Sequence, residues 1–194
     1  MSGGFYSVFL DGDDHTQWLL DDPLADGAPF DSGFAFGRAQ RVEALGELTA
    51  SVTTRPGEPR DSSWTISLVP IVTEAVRSVI ESVTPGAVQW LPVRIKAHPG
   101  SWYIMNALDL VDSIDPDRTG GGRFPDAHER AGEWQGIWTL RLRNDLLPVH
   151  DIFRVKGQKV ALVVTGRLKA ALEDKGHTGM RYTSVTENDA SPAS

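Results

Sequence analysis

Between residues 151 and 185 the spacing of apolar positions changes repeatedly, and the changes predict strand, turn, strand, helix, turn and strand. Ile152, Phe153 and Val155 form a short β-prone run that Gly157 breaks. Val160 to Val164 is a compact apolar run suited to a buried strand. Thr165 can cap the helix that follows, on which Val164, Leu168, Ala171 and Leu172 share a face. Gly176 then supplies a left-handed stop, and Met180, Tyr182 and Val185 suit a closing strand. Upstream, Ile71, Val72, Ala75, Val76, Val79, Ile80 and Val83 trace a wide helical stripe that Pro70 can open and Pro85-Gly86 can close. Further strands are expected at 5–10, 48–53, 87–95, 102–108 and 134–142, with Pro92 implying an edge or a bulge. The predicted fold is α+β: a mixed or mostly antiparallel sheet, two principal helices (about 71–83 and 165–175) and a loop-rich N-terminal portion.

One echo runs through this pattern. Ile71-Val72-Thr73 and Val163-Val164-Thr165 are each followed at matching offsets by an apolar residue, a base, a second apolar residue and a glutamate. The same spacing of 92 residues aligns Val88-Gln89-Trp90 with Met180-Arg181-Tyr182. A duplicated unit and convergence on a common capped-helix pattern would each account for it, and two copies alone favour convergence.

Two segments read as irregular. Residues 55–63 form the clearest loop, which predicts an acidic, loop-rich portion over 1–60 and an α+β domain over 61–186. Residues 112–133 hold Gly120-Gly121-Gly122, expected to be a flexible exposed loop. The tail, 187–194, has nothing to bury and is expected to be disordered.

Charge sharpens the picture. The net charge of −7 lies wholly in residues 1–37, which carry seven aspartates and no Lys or Arg. Such a segment either steers a basic partner or simply keeps the chain soluble. No basic stripe is available to neutralise phosphates, so nucleic acid is not an expected partner. The chain has no Cys, which removes disulfides and thiolate metal sites. It shows no secretory signal and no apolar run of membrane-spanning length, so a cytoplasmic location is expected.

Catalytic signatures are missing: there is no nucleophile elbow, P-loop or dinucleotide fingerprint, and the five histidines are scattered. Asp109, Asp112, Asp115 and Asp117 could converge on a hard cation, but their spacing is not that of a calcium-binding loop. Six Trp is a high count, and Trp is enriched where proteins meet partners. Trp90, Trp102 and Trp138 lie on predicted strands and are assigned to the core, whereas Trp18, in the acidic segment, and Trp134, which like Trp64 flanks a loop, are interface candidates.

Three segments then carry a resemblance. Ile152-Phe153-Arg154-Val155, the run Leu162 to Glu173, and Gly176-His177-Thr178-Gly179-Met180-Arg181-Tyr182 resemble the C-terminal signature of the eleventh catalogued immunity family of bacterial polymorphic toxin systems. Trp102 to Asp112 resembles that family's middle motif, so the likeness spans roughly 85–185. The family, typified by a myxobacterial protein and long filed as a domain of unknown function, implies a protein that binds and neutralises a cognate toxin, without cofactor or catalysis. An adjacent gene is the expected source of that toxin, and a nuclease would suit an acidic inhibitor. The residues chosen for partner binding, on charge and exposure alone, are Asp11, Asp13, Asp14 and Trp18, then Asp115, Asp117 and Trp134. The competing reading is a metal-dependent hydrolase built on the Asp109–Asp117 cluster.

Overall fold

The computed structural model describes residues 4–11, 16–43, 46–53, 57–143, 145–146 and 148–186. In chain order the elements are β1 (Phe5–Leu10), β2 (Leu24–Ala25), β3 (Ala28–Pro29), α1 (Ser32–Phe36), β4 (Leu48–Ala50), β5 (Ser62–Trp64) and β6 (Pro70–Thr73). There follow α2 (Glu74–Val83), β7 (Val88–Ile95), β8 (Trp102–Ala107), β9 (Leu110–Val111), β10 (Gly120–Arg123) and β11 (Trp134–Thr139). The chain closes with β12 (Ile152–Val155), β13 (Gln158–Thr165), α3 (Gly166–Asp174) and β14 (Met180–Ser184). Strand makes up 41% of the structure and helix 14%, so the α+β description holds only in a sheet-dominated form.

Seven strands form one sheet in the order β3-β2-β4-β7-β8-β6-β5, and five form a second in the order β14-β1-β13-β12-β9. Both are mixed: β4 runs parallel to β7 and β9 parallel to β12, while the other neighbours are antiparallel. The first sixty residues thus supply strands to both sheets. Pro92 sits where β7 has β8 alone as neighbour, since β4 joins only at Val93. The expected start of the first long helix is corrected by three residues. Pro70 to Thr73 is a strand held between β5 and β8, because its Ile71 and Val72 are wholly buried on opposite faces, in two different cores. Proline is tolerated there as the first residue of a strand. Thr165 caps α3 by accepting from the Leu168 amide, and Gly176 takes a φ of +69° just beyond it, both as the sequence predicts.

The sequence echo is a property of the whole fold. β6-α2-β7 is a split unit whose two parallel strands are separated by β8, and β13-α3-β14 is the same unit separated by β1. The registers coincide residue for residue. Ile71 faces Ile104 as Val163 faces Ser7, and Trp90 faces Met105 as Tyr182 faces Val8. Arg77 lies over the Tyr103 ring at 4.6 Å, and Lys169, its counterpart, lies over Tyr6 at 5.2 Å. Convergence on a capped helix does not explain matching strand registers; a tandem duplication does. In it, the first strand of each half, β1 or β8, completes the sheet of the other.

The central core lies on this pseudo-twofold axis. Val76 and Ile80 of α2 and their counterparts Leu168 and Leu172 of α3 are all buried there, with Val8 and Met105. Reciprocal bonds tie the halves: the Asp61 amide donates to Thr178 Oγ1 and the Asp151 amide to Thr84 Oγ1, each at 3.2 Å. Asp151 also accepts from Thr165 Oγ1 and from both Nε and Nη2 of Arg167, whose Nη2 reaches the Val83 carbonyl at 3.1 Å. Burial acts to raise the Asp151 pKa, but the bonds from Arg167 and Thr165 and the charges of Arg167 and His150 outweigh it and hold the carboxyl below its usual range.

A carboxyl with a depressed folded pKa contributes stability above its unfolded pKa, and that contribution is lost as pH falls through the folded value. Asp151→Asn is therefore expected to cost about 1.5–3 kcal/mol at pH 7. It should also flatten the acid limb below about pH 4. Urea melts of both proteins at pH 7 and pH 3 check this; an unchanged pH dependence in the variant contradicts it.

A candidate partner-binding surface

Between β9 and β12 the chain leaves the five-stranded sheet and forms the β10–β11 hairpin over its outer face. The base of the hairpin is tied by a compact hydrogen-bond set. Thr119 Oγ1 donates to the Arg141 carbonyl at 3.0 Å and accepts from the Arg141 amide at 3.1 Å. Asp115 Oδ1 accepts from the amides of Asp117 and Arg118, closing a turn, and the Leu142 amide donates to the Val185 carbonyl at 2.7 Å.

The three consecutive glycines, expected as an exposed loop, are strand β10. Their role is steric. A Cβ on Gly120 would lie 2.9 Å from the Trp138 indole nitrogen, and one on Gly121 would lie 2.8 Å from the Trp134 ring and 2.5 Å from the Gly136 carbonyl. The two indoles therefore lie across bare backbone, and only glycine leaves them room. Arg123 stacks over Trp134 with its guanidinium carbon 3.8 Å from the ring centroid. At the tip Arg130 lies over Phe124, Phe124 stacks on His128 at 4.3 Å, and Arg130 pairs with Glu133 at 2.8 Å.

A groove opens on each side of the hairpin. The larger, about 720 Å³, is lined by Asp112, Ile114, Trp134, Lys156 and Lys159 among others. The smaller, about 480 Å³, is lined by Phe9 of β1, Ala161 of β13, and Ile137 and Trp138 of β11. Trp138 is 75% exposed, which corrects its assignment to the core. Strand alternation predicts burial for it, but among the described residues β11 pairs only with β10, and none of them covers the Trp138 ring.

The other chosen residues scatter. Trp18 is 0% exposed, packs against Trp102 and His98, and donates its indole N–H to Ser63, so it belongs to the second core and not to an interface. Asp13 and Asp14 lie outside the described residues, and Asp11 follows the end of β1. Asp115, Asp117 and Trp134 do come together on the hairpin module, with Asp115 spent on its base and Trp134 lining the larger groove. Among the remaining N-terminal acids, Asp21, Asp22, Asp26 and Asp31 each accept a hydrogen bond from a nearby loop, turn or helix end.

Three of the four carboxylates of the proposed metal cluster have partners of their own. Asp109 lies 3.5 Å from His150, Asp112 pairs with Lys156 at 3.1 Å, and Asp115 with Arg118 at 3.7 Å. Among the described residues no group of three acids or histidines is placed to hold a metal ion. The model of the immunity protein family Imm11 matches residues 12–187, nearly the whole chain. This chain belongs to that family. No curated protein matches it. Membership in Imm11 supports a toxin-neutralising role.

Because two indoles rest on β10, Gly121→Ala is expected to loosen the hairpin selectively. Amide hydrogen exchange across 120–139 should speed by about 5- to 150-fold, since overpacking at such a contact costs about 1–3 kcal/mol. Amides of α2 and α3 should keep wild-type rates. Uniform acceleration would show that the hairpin is not an independent unit.

Proposed function

We propose that this Imm11 protein neutralises its toxin by stoichiometric occlusion, with the β10–β11 hairpin and its two grooves as the contact surface. The exposed Trp138 beside the smaller groove carries the reading, because a large aromatic held on rigid backbone is the usual anchor of a tight interface. Asp117 at the base and Trp134 in the larger groove belong to the same surface, and Asp11, Asp13 and Asp14 add to the negative potential that speeds encounter. A nuclease, with a basic substrate channel, is the class of toxin that an acidic inhibitor suits; an adjacent gene is its expected source and the cytoplasm the place of binding.

The test is coexpression with the toxin-like product of the neighbouring gene, followed by calorimetry on the purified pair. A one-to-one complex is expected, and Trp138→Ala should weaken it by roughly 30-fold or more while leaving the melting temperature unchanged. Full protection and affinity from the Trp138→Ala protein would exclude the hairpin as the contact surface.

A further inference from the structure

Arg154, in β12, is 2% exposed and has no acidic partner among the described residues. Its Nη1 donates to the carbonyls of Lys159 and Val160 at 3.3 and 3.0 Å, and its Nε–H meets no acceptor. Burial pushes the guanidinium pKa down to about 10, so the group is still a cation at neutral pH. A buried charge without a counter-charge weakens a fold. The internal symmetry shows that the fold does not need one here. Arg154 faces Leu162 as Trp64 faces Pro70, and Trp64 fills the equivalent place as a buried indole.

Arg154 lines a narrow cleft with Phe36, Gly37, Ser67, Leu68 and Val160, with about 10 Å³ of room, enough for one oxygen-sized group. Its mouth is apolar and reachable: Leu68 is 41% and Val160 48% exposed, and Phe34, on the helix between Gly33 and Gly37, is 60% exposed. Leu68 is held at a φ of +59°, in a turn that Asp22 pins by accepting from the Ser67 amide and hydroxyl. Arg38 lies over the Phe34 ring at 5.0 Å, a second cation near the mouth. Asp31, the other acid nearby, is engaged at the start of α1, where it accepts from the Phe34 amide.

We propose that this cleft receives the carboxylate tip of one aspartate or glutamate of the toxin, which spreads the exposed Leu68 and Val160 and pairs with the Arg154 guanidinium. The apolar rim then closes around the ion pair and excludes water, which strengthens it. The inference rests on the chain acting as a toxin binder. It also extends that surface, because only the β12–β13 turn separates the cleft from the larger groove, which Lys156 and Lys159 line.

Three measurements on the full chain test it. Arg154→Met should melt at the wild-type temperature or above, as expected when an uncompensated buried charge is replaced by a neutral side chain. A clear loss of stability would make Arg154 a structural residue and overturn the proposal. In the ¹⁵N-labelled wild type, sodium acetate should shift the Arg154 Nε–H resonance saturably, whereas sodium chloride at equal ionic strength should not. No response overturns the proposal, and an equal response to chloride replaces it with a resident inorganic-anion site. Toxin affinity should fall roughly 30-fold or more in Arg154→Met and in Val160→Asp. Unchanged affinity in both overturns the assignment to the toxin. A wild-type chain that binds no toxin at all overturns the occlusion reading instead, and the acetate titration still reports on the cleft.

Discussion

The packing of α2 against α3 across a pseudo-twofold axis is the constraint on which the rest of this fold depends. Neither half can close its own sheet. Between β6 and β7 lies a gap that β8 of the other half fills, and between β13 and β14 lies a gap that β1 fills. Val76, Ile80, Leu168 and Leu172 meet where these exchanged strands deliver Met105 and Val8. Burial of this shared core is therefore also the burial that joins the halves, and separating them would expose it along with two sets of unpaired strand edges. The geometry is that of an isologous dimer joined into one chain.

Duplication leaves a useful contrast between what the two halves share and what they do not. The strand-helix-strand units, the cation over a tyrosine ring and the strand registers occur twice. Among the described residues the β10–β11 hairpin occurs once, over the five-stranded sheet. Arg154 likewise stands where the other half keeps Trp64. Features that break an internal symmetry without helping the core are where a binding function is expected to reside. Here the larger groove and the Arg154 cleft are lined by neighbouring residues of the β12–β13 hairpin. An aromatic ribbon and a buried cation are complementary tools for holding a protein partner: the first offers area at low entropic cost, and the second offers selectivity, since only an acid can satisfy it.

Much of the architecture was legible in local patterns, because it has local causes. Thr165, the apolar face of α3, Gly176 and the runs at 5–10, 88–95 and 102–107 announce themselves through capping chemistry, periodicity and β-branched or aromatic content. Errors arose where two structural states share one pattern. Ile71-Val72-Thr73 continues the helical stripe of α2 in sequence, yet strands on both sides claim it, and pairing outweighs propensity there. Gly120-Gly121-Gly122 has the composition of a loop, yet it is a strand because two indoles need its bare backbone.

Family membership and the capped helix α3 were thus readable from the order of residues alone, since each rests on motifs of neighbouring positions. Exposure was not. Trp18 sits in an acidic loop and is buried, while Trp138 sits on a strand and is open to solvent. What decides between them is whether another layer of the chain arrives overhead, and that layer comes from residues far away in sequence. The isolation of Arg154 is of the same kind: a base in a β-prone run implies nothing until folding removes its water and brings it no acid.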